Sequence, residues 1–412
     1  MVQRGFSQET LAEAICTTSQ WITAKPVSCT GRQVRRLLSG EIAWPGTAYR
    51  AALEKIFQVP PDEMGFVPTA SYRSKVRAKS PQPPDQQEQP MLRRQFVLGL
   101  TGAVLSLPSL PTAGRLGMSD IDRIRTTATQ LHQLDNLHGG TQVAEIAARY
   151  IEYVEQAARH CTYGGTVQTA LHRTLGELSA SCAWFHFDAG QQDTARRWWD
   201  TGLRYALLGR DRLLQARIWS SMSHQATLLG HGAEAVAIAR AALEDTRGAR
   251  DGTLSSLLHT RVAQGHAVQG EKGWCGKSLA RAEQAYDQAP AEPLRWLGFY
   301  STGEIASTTA LCYLDLGRHD QAVDSARTAL DAVLATPFRR NHLAGHVRLA
   351  RCLGAAGELD AAMAAGHSAL SLVPEVRSPR IMAGLVGLRD DLLIRRPAGA
   401  ADFSERYKAV VT

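Results

Sequence analysis

Arg32, Gln33, Arg35 and Arg36 stand within five positions, and each side chain ends in a planar group that can make paired hydrogen bonds. Guanidinium and amide groups pair in this way with guanine and adenine edges, and guanidinium also neutralises phosphate. No acid falls between Arg32 and Arg36, so the stretch is a candidate contact for a polyanion. His342 and His346, four apart on one helical face, have the spacing to share a metal ion. They lack a third ligand and the intervening Glu of a His-Glu-x-x-His motif, so no metal is expected. The chain carries no phosphate-binding loop, no Gly-x-Gly-x-x-Gly after a strand and no nucleophile elbow. Neither catalytic residues nor a cofactor are therefore expected, and the chain does not read as an enzyme.

The arginines need a helix to share a face. In Thr30–Glu41, helical spacing turns Val34, Leu37 and Leu38 inward and Arg32, Arg35 and Arg36 outward, and Gly40 ends the turn. Upstream, residues 4–15 read as a helix with Ser7 as N-cap and Phe6, Leu11 and Ile15 as its apolar stripe. A polar stretch broken by Pro26 extends from there to about Cys29. Downstream, Tyr49, Leu53, Ile56 and Phe57 line a third helix closed by Pro60 and Pro61.

These three segments resemble the helix-turn-helix of the lambda-repressor-like (XRE) regulators, in an actinobacterial branch with a long insertion before the recognition helix. Ser7, Gln8, Leu11 and Ala12 match the start of the family's scaffold helix, and Gly40, Glu41, Trp44 and Pro45 match its closing signal. The resemblance covers about residues 4–68. It implies that Thr30 to Leu38 enters a major groove, with Thr30, Arg32, Gln33, Arg35 and Arg36 as DNA-binding residues. The family has a full helix before the Ser-Gln motif, where six residues stand here; either further chain precedes Met1 or the domain is one helix short.

Charge points the same way. Of the net +7, residues 1–80 supply five, from eleven Lys/Arg against six acids. A basic module in front of a near-neutral remainder predicts a polyanionic partner. Residues 69–90 are polar and proline-rich, a linker composition. Arg93-Arg94 before the apolar run Phe96–Leu107 imitates a twin-arginine signal, but the run is too short to span a membrane. A short helix or extended segment docked on the downstream helices is expected instead. The seven cysteines include no Cys-x-x-Cys pair, which favours reduced thiols and a cytoplasmic protein.

From Thr166 to Val373 five glycines recur: Gly190, Gly230, Gly270, Gly317 and Gly357, separated by 40, 40, 47 and 40 residues. Seven positions before each stands Ala183, Ser223, Ala263, Ala310 or Ala350. Five after stands Ala195, Ala235, Cys275, Ala322 or Ala362, and twelve after stands Gly202, Ala242, Ala282, Ala329 or Ala369. Small residues at three fixed offsets allow paired helices to approach each other and the next pair, with glycine at the turn. An irregular helical bundle is the alternative. In the third unit Glu271–Gly276 is expected to loosen the second helix. Helices at Met118–Asp135 and Val143–His160 form a degenerate cap before the array, Pro379–Ile394 a cap after it, and Arg395–Thr412 a tail.

The small–Gly–small–small offsets resemble the tetratricopeptide repeat, with a longer period and without most of its prolines. That resemblance implies a concave wall lined by residues six and thirteen places before each glycine. In this chain those are Glu177, Trp184, Arg217, His224, Leu257, Gln264, Glu304, Leu311, Ala344 and Arg351. Of these, Glu177, Trp184, Arg217, His224, Gln264, Glu304 and Arg351 are the candidate ligand-binding residues, for a peptide or small molecule.

The expected architecture is all-α: a helix-turn-helix domain over 1–68, a linker and apolar segment over 69–117, a tetratricopeptide-like α-solenoid over 118–395, and a tail over 396–412. The expected function is a sequence-specific transcriptional regulator that binds a double-stranded DNA operator, forms a homodimer through its repeats and responds to a ligand, with no membrane contact. The alternative is an interaction scaffold whose helix-turn-helix does not bind DNA.

Overall fold

The computed structural model describes residues 6–22, 27–42, 44–57, 59, 61, 64, 66, 95–98, 103–106, 108–249, 251–290, 292, 294–376 and 378–411. The chain is all-α, with seventeen helices and four short strands among the described residues. None of those helices is long and apolar enough to cross a membrane. Contacts divide the chain into two compact units, Met1–Pro90 and Met91–Thr412. The twin arginines at 93 and 94 and most of the linker lie outside the described residues.

In the first unit, α1 (Gln8–Ile22) packs against α2 (Gly31–Leu38) and α3 (Thr47–Phe57). Ser7 caps α1, its Oγ accepting the Thr10 N–H at 3.1 Å. The helix runs seven residues beyond the expected Ile15, through a stretch whose composition suggests a polar loop. Ser19 explains the extension. Its buried hydroxyl donates to Cys16 O at 2.9 Å and accepts from Val27 N–H at 3.1 Å, so the polar turn is satisfied inside the fold. Leu11, Ala12, Ile15, Val34, Leu37, Ala52 and Leu53 form the core. Leu38, expected inside, is 53% exposed. One apolar position per turn suffices to seat an eight-residue helix, and Val34 and Leu37 fill that role.

In the second unit a hairpin of β1 (Gln95–Leu98) and β2 (Ala103–Ser106) occupies the apolar segment, which is thus extended. β3 (Gly114–Arg115) then pairs in parallel with β4 (Cys161–Thr162). Between these last two lie α4 (Met118–His138) and α5 (Ala144–His160). Five helix pairs come next: α6 (Gly165–Asp188) with α7 (Gln192–Leu208), α8 (Arg212–Leu228) with α9 (Gly232–Asp245), α10 (Gly252–Val268) with α11 (Lys272–Tyr286), α12 (Thr302–Asp315) with α13 (His319–Leu334), and α14 (Arg339–Ala356) with α15 (Leu359–Leu370). The chain ends in α16 (Pro379–Arg395) and α17 (Ala400–Val411).

The turn inside each pair has one construction. Gly190, Gly230, Gly270, Gly317 and Gly357 have φ of 81°, 81°, 73°, 69° and 86°. At the first, Gln191 N–H donates to His186 O at 2.9 Å and Gly190 N–H to Phe187 O at 3.1 Å. This double closure satisfies carbonyls the helix end would leave orphaned, and it needs a left-handed residue, which costs a Cβ-bearing one about 1 kcal/mol or more. All fifteen small residues flanking the five glycines are buried. They sit where neighbouring backbones come closest: a Cβ on Gly202 would stand 3.0 Å from Ile218 Cδ1 and 3.4 Å from Gly176 O.

The helices with even numbers form an inner layer. α4, α6, α8, α10, α12, α14 and α16 each touch the next, while the odd-numbered α7, α9, α11, α13 and α15 lie against the outside. Burial follows position. α10 is buried on nearly every face, from Gly252 to Ala267, whereas α9 buries a single stripe of Gly232, Ala235, Val236, Ala239 and Ala242. The inner layer also closes on itself, because α14 touches α4 and α16 touches α6.

Two expectations are corrected by these helices. Glu271–Gly276 does not loosen its helix: α11 begins at Lys272 and is continuous. Cys275 anchors it in a cluster with Ala263, Ala267, Leu279 and Cys312, and Trp274 stacks on His266 at 6.2 Å. The stretch from 396, expected to be a tail, is mostly helix. Phe403 and Tyr407 bury one face of α17 against α15 and α16, and Phe403 packs beside Gly366, where a Cβ would meet its ring at 2.6 Å.

Candidate functional site

On α2 the five candidate DNA-binding residues divide into two groups. Thr30 and Gln33 build the cap: Thr30 Oγ1 accepts Gln33 N–H at 3.4 Å, and Gln33 Oε1 accepts Thr30 N–H at 2.8 Å. The Gln33 carbonyl is thereby committed to the helix end. Arg32, Arg35 and Arg36 are exposed. Arg35 Nε donates to Gln8 Oε1 on α1 at 3.2 Å, and Arg36 Nε pairs with Glu41 at 2.8 Å. Both bonds are made through Nε; at this exposure the ion pair contributes at most about 1 kcal/mol.

The inner face of the second unit is more polar than a core requires. Residues thirteen, nine and six places before a turn glycine share one helical stripe, and on α8, α10 and α14 that stripe carries Arg217, His224, Arg261, Gln264, Arg348 and Arg351. Arg217 is half-buried; its Nη2 donates to Ser181 Oγ at 3.3 Å and lies 3.5 Å from His132 Nε2. Burial lowers its pKa, against the opposing field of Glu177. Arg261 Nη1 donates to Gln264 Oε1 at 2.9 Å, and its Nε to Ser220 Oγ at 3.4 Å. Phe187 stands against both Trp184 and His224, with ring centroids 5.5 and 5.6 Å apart. Burial first, then the charges of Arg261, Arg380 and Arg348, hold the His224 imidazole well below the ordinary histidine range. It is neutral at pH 7.

Where the inner layer closes, two buried carboxylates meet two arginines. Asp188 at the end of α6 accepts from Ser378 Oγ at 2.9 Å and from Arg380 Nη2 at 2.8 Å, both at Oδ1. Its Oδ2 accepts Gly140 N–H at 3.2 Å, an approach open only to glycine since a Cβ there would stand 2.3 Å from Phe185 O. Arg340 on α14 lies 3.6 Å from both Asp188 and Asp135. Burial opposes the Asp188 charge, but Arg380, Arg340, Gly140 and Ser378 outweigh it and lower its pKa. Asp135 is pushed up to about 6 by burial, with Arg340 opposing and Asp188 adding. Trp184 is flanked by both guanidiniums, at 5.7 Å from Arg340 and 5.6 Å from Arg380.

The seven candidate ligand residues are thus only partly gathered. Trp184, His224, Gln264 and Glu304 converge with Arg261 and Arg380, whose charges act among them. Arg217 and Glu177 form a neighbouring group with His132 and Ser181. Arg351 is exposed and faces Asp315, whose pKa burial raises with the Arg351 charge opposing, and α16 passes over it at Gly384. Leu257, expected on the wall, is 2% exposed in the core beside Leu297 and Tyr300. Sequence reasoning passed over Arg261, Arg340, Arg348, Arg380, Asp135 and Asp188. For Arg261 and Arg348 a signal existed: each stands nine before its glycine, on the stripe between the two offsets used. Arg340, Arg380 and the two aspartates have none, since only ring closure brings them together. Among the described residues no cluster of His, Cys, Asp and Glu could hold a metal ion. No family model matches the chain, and no curated protein matches it significantly.

Proposed function

We propose that the protein is a DNA-binding transcriptional regulator: the first unit a helix-turn-helix with α1 as scaffold and α2 as recognition helix, the second a tetratricopeptide-like solenoid that binds a signal and dimerises. The observation that carries the first half is the outward row of Arg32, Arg35 and Arg36 on a capped helix whose other face is buried. A recognition helix needs this division between core side and groove side. The second half rests on the half-buried polar stripe of the inner layer, since groups desolvated without full pairing are positioned for a ligand. A dimer would place two copies of α2 at half-sites about 34 Å apart or a multiple of it. A ligand shifts that spacing only by binding the two arrangements with different affinity.

A scaffold that does not bind DNA is the second reading. The Arg36–Glu41 pair and the commitment of Gln33 to the cap favour it. Binding to DNA from upstream of the protein's own gene, titrated across salt, separates the two. A regulator gives saturable binding whose affinity falls steeply with salt, and simultaneous Arg32→Ala, Arg35→Ala and Arg36→Ala removes it. Equal binding by parent and folded triple variant would leave the scaffold reading.

A further inference from the structure

Four guanidiniums of the inner-face stripe have no acid within ion-pair distance among the described residues: Arg217, Arg261, Arg348 and the exposed Arg351; Arg261 on α10 and Arg348 on α14 are the two whose charges both act on His224. The ion pairs at the ring closure use Arg340 and Arg380 instead. Arg261 donates only to neutral oxygens, those of Gln264 and Ser220. Arg348 Nε is buried without a hydrogen-bond partner, and so is His224 Nδ1. These groups lie on one stripe of inner helices that touch in series, α8 to α10 to α12 to α14: Arg261 and Arg348 each stand nine places before a turn glycine and His224 six. The charges of both arginines also act on His224, as does that of Arg380. A desolvated cation lacking its counter-ion is costly to a fold, and a bound anion removes that cost. We propose that the inner face binds one oxyanion group, a carboxylate or phosphoryl of a small ligand, between Arg261 and Arg348 with the free His224 Nδ1 beside it. Guanidinium forks match either group by paired hydrogen bonds. Glu304 on α12 is an acid whose field reaches both arginines. It offsets part of their charge, so the site takes a single anionic group rather than a polyanion.

This rests on reading the second unit as a ligand sensor, and its test is run without DNA so that the two stand or fall separately. The full chain is titrated with acetate and with inorganic phosphate by calorimetry, with sodium chloride at matched ionic strength as control. Saturable one-site binding and a raised Tm with either anion are expected; which anion binds tells carboxylate from phosphoryl. Arg348→Gln and Arg261→Gln should each weaken binding about tenfold or more. Arg348→Gln should also raise the Tm of the ligand-free protein, since it removes a half-buried charge whose Nε has no hydrogen-bond partner; a purely structural arginine would lower it. Neither anion exceeding the chloride control would overturn the proposal, as would parent-like binding by both variants. If anion binding is found but DNA affinity does not respond to it, the site stands and the sensor reading fails.

Discussion

Arg380 Nη2 lies 2.8 Å from Asp188 Oδ1 although 192 positions separate them in the chain. This contact, with Ser378 and Arg340 on the same carboxylate, ties the last inner helix to the first helix pair. It is buried on the aspartate side, so both desolvation and Coulomb attraction are large there.

Asp188→Asn should therefore destabilise the protein by about 3 kcal/mol or more, because Arg340 and Arg380 lose a shared counter-ion inside the fold. Urea denaturation at pH 7.5 measures it. A cost below about 0.5 kcal/mol would show that the closure is held by apolar packing alone.

Ala310 and Ala329 are fully buried at helix–helix contacts. Ala310→Phe and Ala329→Phe should each cost roughly 1–3 kcal/mol through overpacking. Parent-like urea midpoints for both would mean the interfaces are loose enough to absorb a ring.

Burial holds His224, His259 and His346 below the ordinary 6.5 of histidine. Their folded pKa values are depressed, so the unfolded chain takes protons that the folded chain refuses as pH falls below 6.5, and stability is lost. Asp135 works the other way. Raised from 3.8 to about 6, it keeps a proton in the folded state that the unfolded state has released, so acidification through that window stabilises. His224→Gln isolates the imidazole. The variant's urea midpoint should gain on the parent's between pH 7.5 and 5.5; an unchanged difference between the two proteins would mean that His224 is hydrated.

On α2, two substitutions should move DNA affinity in opposite directions. Arg35→Ala should weaken binding by roughly 1–3 kcal/mol. Glu41→Gln releases Arg36 from its ion pair and should strengthen low-salt binding by a few tenths up to about 1 kcal/mol. Changes of the same sign would place α2 outside the contact.

The sequence by itself determined the repeating parts. A left-handed turn and a close backbone approach are local demands, met by glycine and by small residues at fixed offsets, so Gly190 to Gly357 and their fifteen neighbours were legible without coordinates. The three outward arginines of α2 were legible for the same reason, because helical spacing assigns faces, whereas its cap by Thr30 and Gln33 emerged only in the structure. Helix ends were less so: α1 runs to Ile22 because Ser19 finds partners in the fold, and α17 forms because Phe403 finds a pocket beside Gly366. The inner face was half legible, since the offsets name Trp184, His224 and Gln264 but not what stands across from them. That opposition arises from small rotations accumulated over successive helix pairs, and no single segment encodes the sum. Only the tertiary structure closes α16 onto α6, and with it decides that Asp188 is paired while Arg348 Nε has no partner among the described residues.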